Sequence, residues 1–570
     1  MKQLLVFFKD YKIKSVLAPL FKLLEALFEL FVPLVIADII DVGIAKGDIS
    51  YIVKRALILV LLAFIGLGLA ITAQYFSAKV ATSFSKDLRH ALYSKIQSLS
   101  FNELDKLTTS SLITRMTSDV NQIQNGVNLI LRLFLRSPFI VFGAMVMAFT
   151  IDRQISLIFL GAIVILSVVV FGVMAYTIPK QKEIQQSLDG VTLTTRENIT
   201  GARVIRAFRD EKNENRIFNS KNNFLSHLQR VAGRISALLN PVTYVIINLA
   251  IIILLYVGAV KVNVFGLEQG KVVALYNYMS QILVELIKLA MLIVTVTRAF
   301  ASADRISAVF NEKNTLETNN NDETSEHFIE FKDVSLTYKN AGAAAIENIS
   351  FTANKGETVG IIGGTGSGKT SLVSLLGHFY DCTDGAVYVD GRDVKAQEAD
   401  SLREKIGFVF QKAVLFKGTV RDNIKWGNKS ADDEQIKDAL MLSQVYDDVE
   451  KLGGLDYQLS QGGANLSGGQ RQRMTIARAL VRKPQILVLD DSSSALDFAT
   501  EAKLREAIYS LDYEPTVFIV SQRASSVMSA DKILVLDDGQ CVGVGTHKEL
   551  LESCKVYKEI YTSQFGKEVV

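Results

Sequence analysis

Apolar residues in the first half of the chain come in runs of bilayer length, and in the second half in short blocks separated by polar turns. Residues 56–78, 155–178 and 235–260 contain no charged side chain. About 20 apolar residues cross a hydrocarbon core, so each run predicts a transmembrane helix. Three further runs carry charge: 15–40 with Lys22, Glu25 and Glu29, 127–151 opening on Arg132 and Arg136, and 272–296 with Glu285 and Lys288. Arg132 and Arg136 are expected to snorkel toward the headgroups. The pattern predicts six helices with both termini on one side. The long connections 79–126 and 180–234 are rich in base (Arg196, Arg203, Arg206, Arg209, Lys212 and Arg216 in the second), which places them and both termini in the cytosol. Helical spacing runs on through both connections, predicting helices that project beyond the membrane and end in short crossing tips at 101–112 and 197–208.

Residues 311–326 are almost free of apolar side chains and predict a linker. From residue 327 strands and helices alternate, as in an α/β domain. Segments 329–331, 334–338 and 349–352 suggest an antiparallel β edge. The expected architecture is therefore an all-α six-helix transmembrane domain over 1–310, a linker over 311–326, and an α/β domain with an antiparallel β subdomain over 327–570.

Composition agrees with a membrane protein: 570 residues, 49% hydrophobic, with mean hydropathy +0.25. A formal net charge of +3 gives no reason to expect nucleic acid as a partner. Cys382, Cys541 and Cys554 have no metal-ligand spacing and read as free cytosolic thiols. Residues 1–14 mix bases with Leu4, Leu5, Val6, Phe7 and Phe8, which fits an amphipathic helix on the inner membrane surface. Glu25 and Glu29 share a helical face, while Glu285 and Lys288 are spaced to pair. Such charges either line a cavity favouring cationic or amphiphilic cargo or pair within the bundle.

Candidate chemistry centres on Gly363-Gly364-Thr365-Gly366-Ser367-Gly368-Lys369-Thr370, which fits the phosphate-loop pattern G-x-x-x-x-G-K-[ST]. Glycines let successive N–H groups turn toward phosphate oxygens. Lys369 is placed to reach β- and γ-phosphates, the Thr370 hydroxyl to ligate Mg²⁺, and Ser371 to complete the ATP-binding set. The helix that follows directs its positive end at the anion. Residues 485–491 read as a strand ending in two carboxylates, of which Asp490 would organise Mg²⁺. Leu466-Ser467-Gly468-Gly469-Gln470 opens a helix and offers a second anion site.

With both motifs in this order, the chain resembles an ATP-binding cassette exporter half-transporter over nearly its whole length. The resemblance implies that Tyr338 stacks on adenine, that Gln411 touches Mg²⁺ and senses the membrane domain, and that residues 461–463 lie in the loop contacting the coupling tips. It also implies that Ser494 to Asp497 form the loop crossing to a second nucleotide-binding domain. Two ATP molecules would be sandwiched between two such domains, each between one phosphate loop and the other's signature, so the chain must dimerise.

Two positions depart from that family's pattern. Asp491 stands where it has a catalytic Glu, and its carboxylate falls short of the attacking water by about an ångström. Gln522 stands where it has a switch His; His90, His227, His327, His378 and His547 lie elsewhere. Together these changes are expected to slow hydrolysis on the order of 10²-fold or more. The signature is intact. The resemblance then implies the degenerate-site subunit of a bacterial heterodimeric multidrug-type exporter, in the plasma membrane. Its partner would be a second half-transporter supplying the Glu and His, its cofactors ATP and Mg²⁺, and its cargo small and lipophilic. A homodimeric exporter or lipid flippase with slow hydrolysis, or a nucleotide-gated channel, are the alternatives.

Overall fold

The computed structural model describes residues 2–313, 316, 323–339, 341–493 and 495–566. They form two units, residues 1–97 with 109–312, and residues 98–108 with 313–570.

The first unit is a helix bundle. Its helices are α1 (Lys12–Asp38), α2 (Ile49–Gln97), α4 (Thr109–Thr114), α5 (Val120–Leu133), α6 (Arg136–Ile151), α7 (Arg153–Thr200), α8 (Ala202–Phe208), α9 (Glu211–Phe265) and α10 (Gln269–Asn311); α3 (Phe101–Leu107) belongs to the second unit. Helices α2, α7, α9 and α10 hold 49, 48, 55 and 43 residues. At ~1.5 Å per residue they far exceed a ~30 Å hydrocarbon core. Leu57, Leu61, Phe64, Leu67 and Ile71 form an exposed apolar stripe on α2 at helical spacing, as a lipid-facing surface requires. Inside, Ala144, Ala148, Phe159, Leu254, Leu275 and Tyr278 are buried in one cluster. Asp152 caps α7 by accepting from Gln154 N and Ile155 N, and pairs with Lys261 Nζ at 2.6 Å, tying α7 to α9.

Several expectations change here. Among the described residues, five helical segments are long and apolar enough to cross a membrane; α1 is not one of them. Its Lys22, Glu25 and Glu29 lower its hydropathy, and the bundle accommodates them by pairing. Arg136 does not snorkel: its side chain is buried and pairs with Glu285 at 2.5 Å and with Glu29 at 2.7 Å. Burial is tolerated because carboxylates from α1 and α10 converge on one guanidinium. The span expected at 127–151 is split between α5 and α6 at Phe134–Leu135. The N-terminal helix is a 3-10 helix over Lys2–Tyr11, and Phe7 and Phe8 meet Phe84 of α2 at 6.3 and 4.5 Å. The first tip is shorter than expected, α3, and the second is α8, which follows a turn at Gly201.

Among the described residues, the second unit is built on twelve strands. These are β1 (Ile329–Leu336), β2 (Ile346–Ala353), β3 (Thr358–Gly363), β4 (Asp384–Val389), β5 (Arg392–Asp393), β6 (Ile406–Val409), β7 (Gly418–Thr419), β8 (Gln458–Leu459), β9 (Ile486–Asp490), β10 (Thr516–Ser521), β11 (Lys532–Asp537) and β12 (Gln540–Gly545). A four-stranded antiparallel sheet runs β2-β1-β4-β5, and a six-stranded sheet runs β12-β11-β3-β10-β9-β6, parallel except at β12. Every residue of β3 and β9 is buried, as expected of central parallel strands covered on both faces. Part of the expected linker is not free: α10 runs to Asn311, Thr324 bridges Arg392, and Tyr388 donates to Glu323 at 3.1 Å. The three cysteines are unpaired thiols.

Candidate nucleotide site

Sheet order builds the site. β10 lies between β3 and β9, with Val520 level with both Ile361 and Asp490. The carboxyl ends of these strands therefore deliver the phosphate loop, the acids and Gln522 to one edge, where ligands of open α/β sheets bind. Their residues line a cleft of about 330 Å³ with Tyr338, Thr365, Lys369, Thr370, Gln411, Asp490, Asp491 and Gln522 on its walls.

The loop's glycines are sterically required at two places. A Cβ on Gly363 would overlap the Leu536 carbonyl oxygen, and one on Gly368, at φ +91°, would lie 2.5 Å from the Ala345 oxygen. Helix α11 (Lys369–Leu376) starts directly behind the loop, with its N-terminus toward the cleft. Lys369 Nζ donates to the Gly363 carbonyl at 2.9 Å and to Ser367 Oγ at 3.3 Å, and burial depresses its pKa. A buried cation held by loop carbonyls is poised to exchange them for phosphate oxygens.

Thr370 Oγ1 donates to Asp490 Oδ1 at 2.9 Å, joining the hydroxyl and carboxylate expected around Mg²⁺. Burial raises the pKa of Asp490, and the neighbouring Asp491 adds to it. Burial also raises that of Asp491, against the Gln411 amide and the charges of Lys369 and Arg523. Gln411 Nε2 donates to Asp491 Oδ2 at 3.2 Å, and Thr365 Oγ1 reaches Gln522 Oε1 at 3.5 Å. Two acids of raised pKa beside a hydroxyl and an amide suit a hard divalent cation, which would restore the charged form.

Tyr338 stands half-buried at the rim, its hydroxyl donating to Ser371 Oγ at 2.9 Å. Tyr380, unmarked in the sequence, meets the Tyr338 ring edge-on at 5.1 Å and donates to Asp105 Oδ2 of α3 at 2.9 Å. Phe101 of α3 stacks on Phe379 at 4.8 Å. No motif marks Tyr380; only its contact with the Tyr338 ring brings it to the rim.

The signature is not part of this cleft. Ser467 caps the helix Gly468–Leu480, accepting from Gln470 N while Gln470 reaches back to the Ser467 backbone. Ser467 and Gly468 are exposed. Asp497, also exposed, caps the helix Phe498–Tyr509 by accepting from Thr500 N; Ser494 lies outside the described residues. His547 is not among the cleft's lining residues and bonds the Tyr557 hydroxyl at 2.8 Å.

Comparison with known proteins agrees with this geometry. Residues 15–286 match the family model for the ABC transporter transmembrane region, and residues 346–494 that for the ABC transporter. The uncharacterized ABC transporter ATP-binding protein YfiB of Bacillus subtilis is 38% identical over 100% of this chain and 99% of its own length. The ATP-dependent lipid A-core flippase of Vibrio parahaemolyticus is 27% identical, covering 99% of this chain and 98% of its own. A solved structure of a bacterial Atm1-family ABC exporter with ATP bound superposes with a TM-score of 0.80 at 22% identity, over 98% of this chain and 99% of that one. With a helical membrane region and a phosphate-loop domain in one polypeptide, the chain belongs to the ABC transporter family.

Proposed function

We propose that this chain is one half of an ATP-driven exporter of lipophilic or amphiphilic compounds, paired with a second, different half-transporter. The observation carrying this reading is the cleft itself: it gathers a phosphate loop, Thr370, Gln411 and Asp490, but offers Asp491 and Gln522 where a full-length general base and a proton-carrying switch are needed. Loop amides and Lys369 would hold the phosphates, and the Tyr338 ring the base. Thr370, Gln411 and Asp490 would hold Mg²⁺, which neutralises phosphate charge when bound. Asp491, drawn toward Gln411, would orient water poorly, so nucleotide here would turn over slowly. The exposed Ser467 and Gly468, with the half-buried Gly469 beside them, would complete the partner's site, where that partner supplies Glu and His. Residues 1–310 would form the membrane domain, 311–326 the linker and 327–570 the nucleotide-binding domain, with both termini cytosolic and the protein in the plasma membrane. Nucleotide-driven closure of the paired domains would favour the outward-facing state, because that state binds ATP better.

The test is ATP hydrolysis by the purified chain alone and with a sister half-transporter. The heterodimer reading expects slow turnover alone and a large gain in the pair. Brisk hydrolysis and cargo movement by the chain alone would establish a homodimer instead. A lipid-like cargo is supported by the similarity to a relative named as a lipid A-core flippase.

A further inference from the structure

Helices α1, α6 and α10 enclose a cleft of about 350 Å³ in the bundle, in which an ion network surfaces. Lys22 pairs with Glu25, Arg136 with Glu29 and Glu285, and Lys288 with Glu285. Three cations thus face three anions, and the network is neutral. The preference for cations that Glu25 and Glu29 suggest from sequence is therefore cancelled by Arg136, Lys22 and Lys288.

What the cleft offers is a matched pair of partly used charges. Arg136 and Glu285 are sunk, with side chains 9% and 4% exposed, while Glu29 and Lys288 are 40% and 39% exposed. Glu29 binds Arg136 through one oxygen only, and Lys288 uses one of its three N–H groups on Glu285. Gln281 also lines the cleft, and its Oε1 is buried with no hydrogen-bond partner. A buried acceptor left unmet is costly, so it calls for a donor from a ligand or water. Val32, Ile36 and Val284 supply apolar wall beside these groups.

We propose that this cleft binds a zwitterionic amphiphile whose headgroup carries a primary ammonium and a phosphate, with its acyl chain along the apolar wall. The ammonium would meet Glu29 and donate to the Gln281 oxygen; the phosphate would meet Lys288. A singly charged cargo would leave uncompensated charge in a low-dielectric site, whereas a zwitterion adds none. This names a cargo class for the exporter reading above and rests on it.

The test titrates the full-length chain in detergent with four lipids of identical fluorescent-labelled chains: phosphatidylethanolamine, phosphatidylcholine, phosphatidylglycerol and a diacyl trimethylammonium lipid. Phosphatidylethanolamine should bind about tenfold tighter than either singly charged lipid, the factor for one net ion contact. Lys288→Gln should shift preference to the cationic lipid, Glu29→Gln to phosphatidylglycerol, and Gln281→Leu should erase discrimination between ethanolamine and choline headgroups. Each variant that remains monodisperse is judged alone. Equal binding of all four lipids by the unaltered chain, a winning cationic lipid there, or an unchanged order in the variants overturns the proposal. The expected binding order without ATP-driven movement of phosphatidylethanolamine in proteoliposomes that hold the chain together with its sister half-transporter would instead overturn the exporter reading and leave the site standing.

Discussion

Gln411 Nε2 donates to Asp491 Oδ2 at 3.2 Å, across the cleft that also holds Lys369 and Asp490. The amide expected to address a metal is thus engaged with the carboxylate at the position where the family resemblance expects a catalytic Glu. A longer side chain at 491 would extend toward the cleft, but Gln522 would still be unable to carry a proton.

Asp491→Glu is therefore expected to raise phosphate release by the assembled transporter by no more than a few-fold, as restored reach without a proton carrier gives little. Adding Gln522→His should bring a further gain on the order of 10²-fold. Steady-state phosphate release on both variants decides it. Ordinary exporter rates from the single change would show that position 522 matters little.

If the chain pairs with a different half-transporter, Ser467→Arg should abolish most hydrolysis by the pair while leaving ATP binding at this chain's own phosphate loop intact, because Ser467 lies outside that cleft. Loss of the cap costs about 1 kcal/mol, a small shift in melting temperature. Full turnover in the variant would contradict the shared site.

Asp490 is buried and its pKa is raised chiefly by that burial. Its folded-state pKa lies above the unfolded one, so the group favours folding below about pH 4 and opposes it as pH rises through the carboxylate range. Asp490→Asn should therefore raise the nucleotide-free melting temperature near neutral pH by about 2–4 °C, while cutting Mg²⁺-dependent ATP affinity at least about tenfold. Differential scanning fluorimetry with and without Mg-ATP reads both. A lower melting temperature would mean that the Thr370 bond outweighs the desolvation.

Arg136→Met leaves Glu285 and Glu29 without their shared cation, and is expected to destabilise the bundle by about 3–5 kcal/mol. Arg136→Met with Glu285→Gln should recover part of that loss, because the two sites are in contact. Thermal unfolding in detergent measures both; an additive double variant would show that the pair is not coupled.

Much of this protein is legible along the chain. Three uncharged runs announce α2, α7 and α9 because apolar length alone decides membrane crossing, and the phosphate loop and signature are local in sequence because each is a run of consecutive residues at the start of one helix. Asp490 follows from the apolar strand that precedes it. Tertiary structure alone decided the rest. Arg136 looked like a headgroup anchor, and only the convergence of Glu29 from α1 and Glu285 from α10 makes it a buried partner; that pairing spans 107 and 149 residues and has no local signal. Tyr380 reaches the Tyr338 ring only because the chain returns past α11 to the same edge. Local pattern reports what a segment needs from solvent, lipid or phosphate, whereas the partner of a buried charge or ring is set by which strands and helices happen to be neighbours.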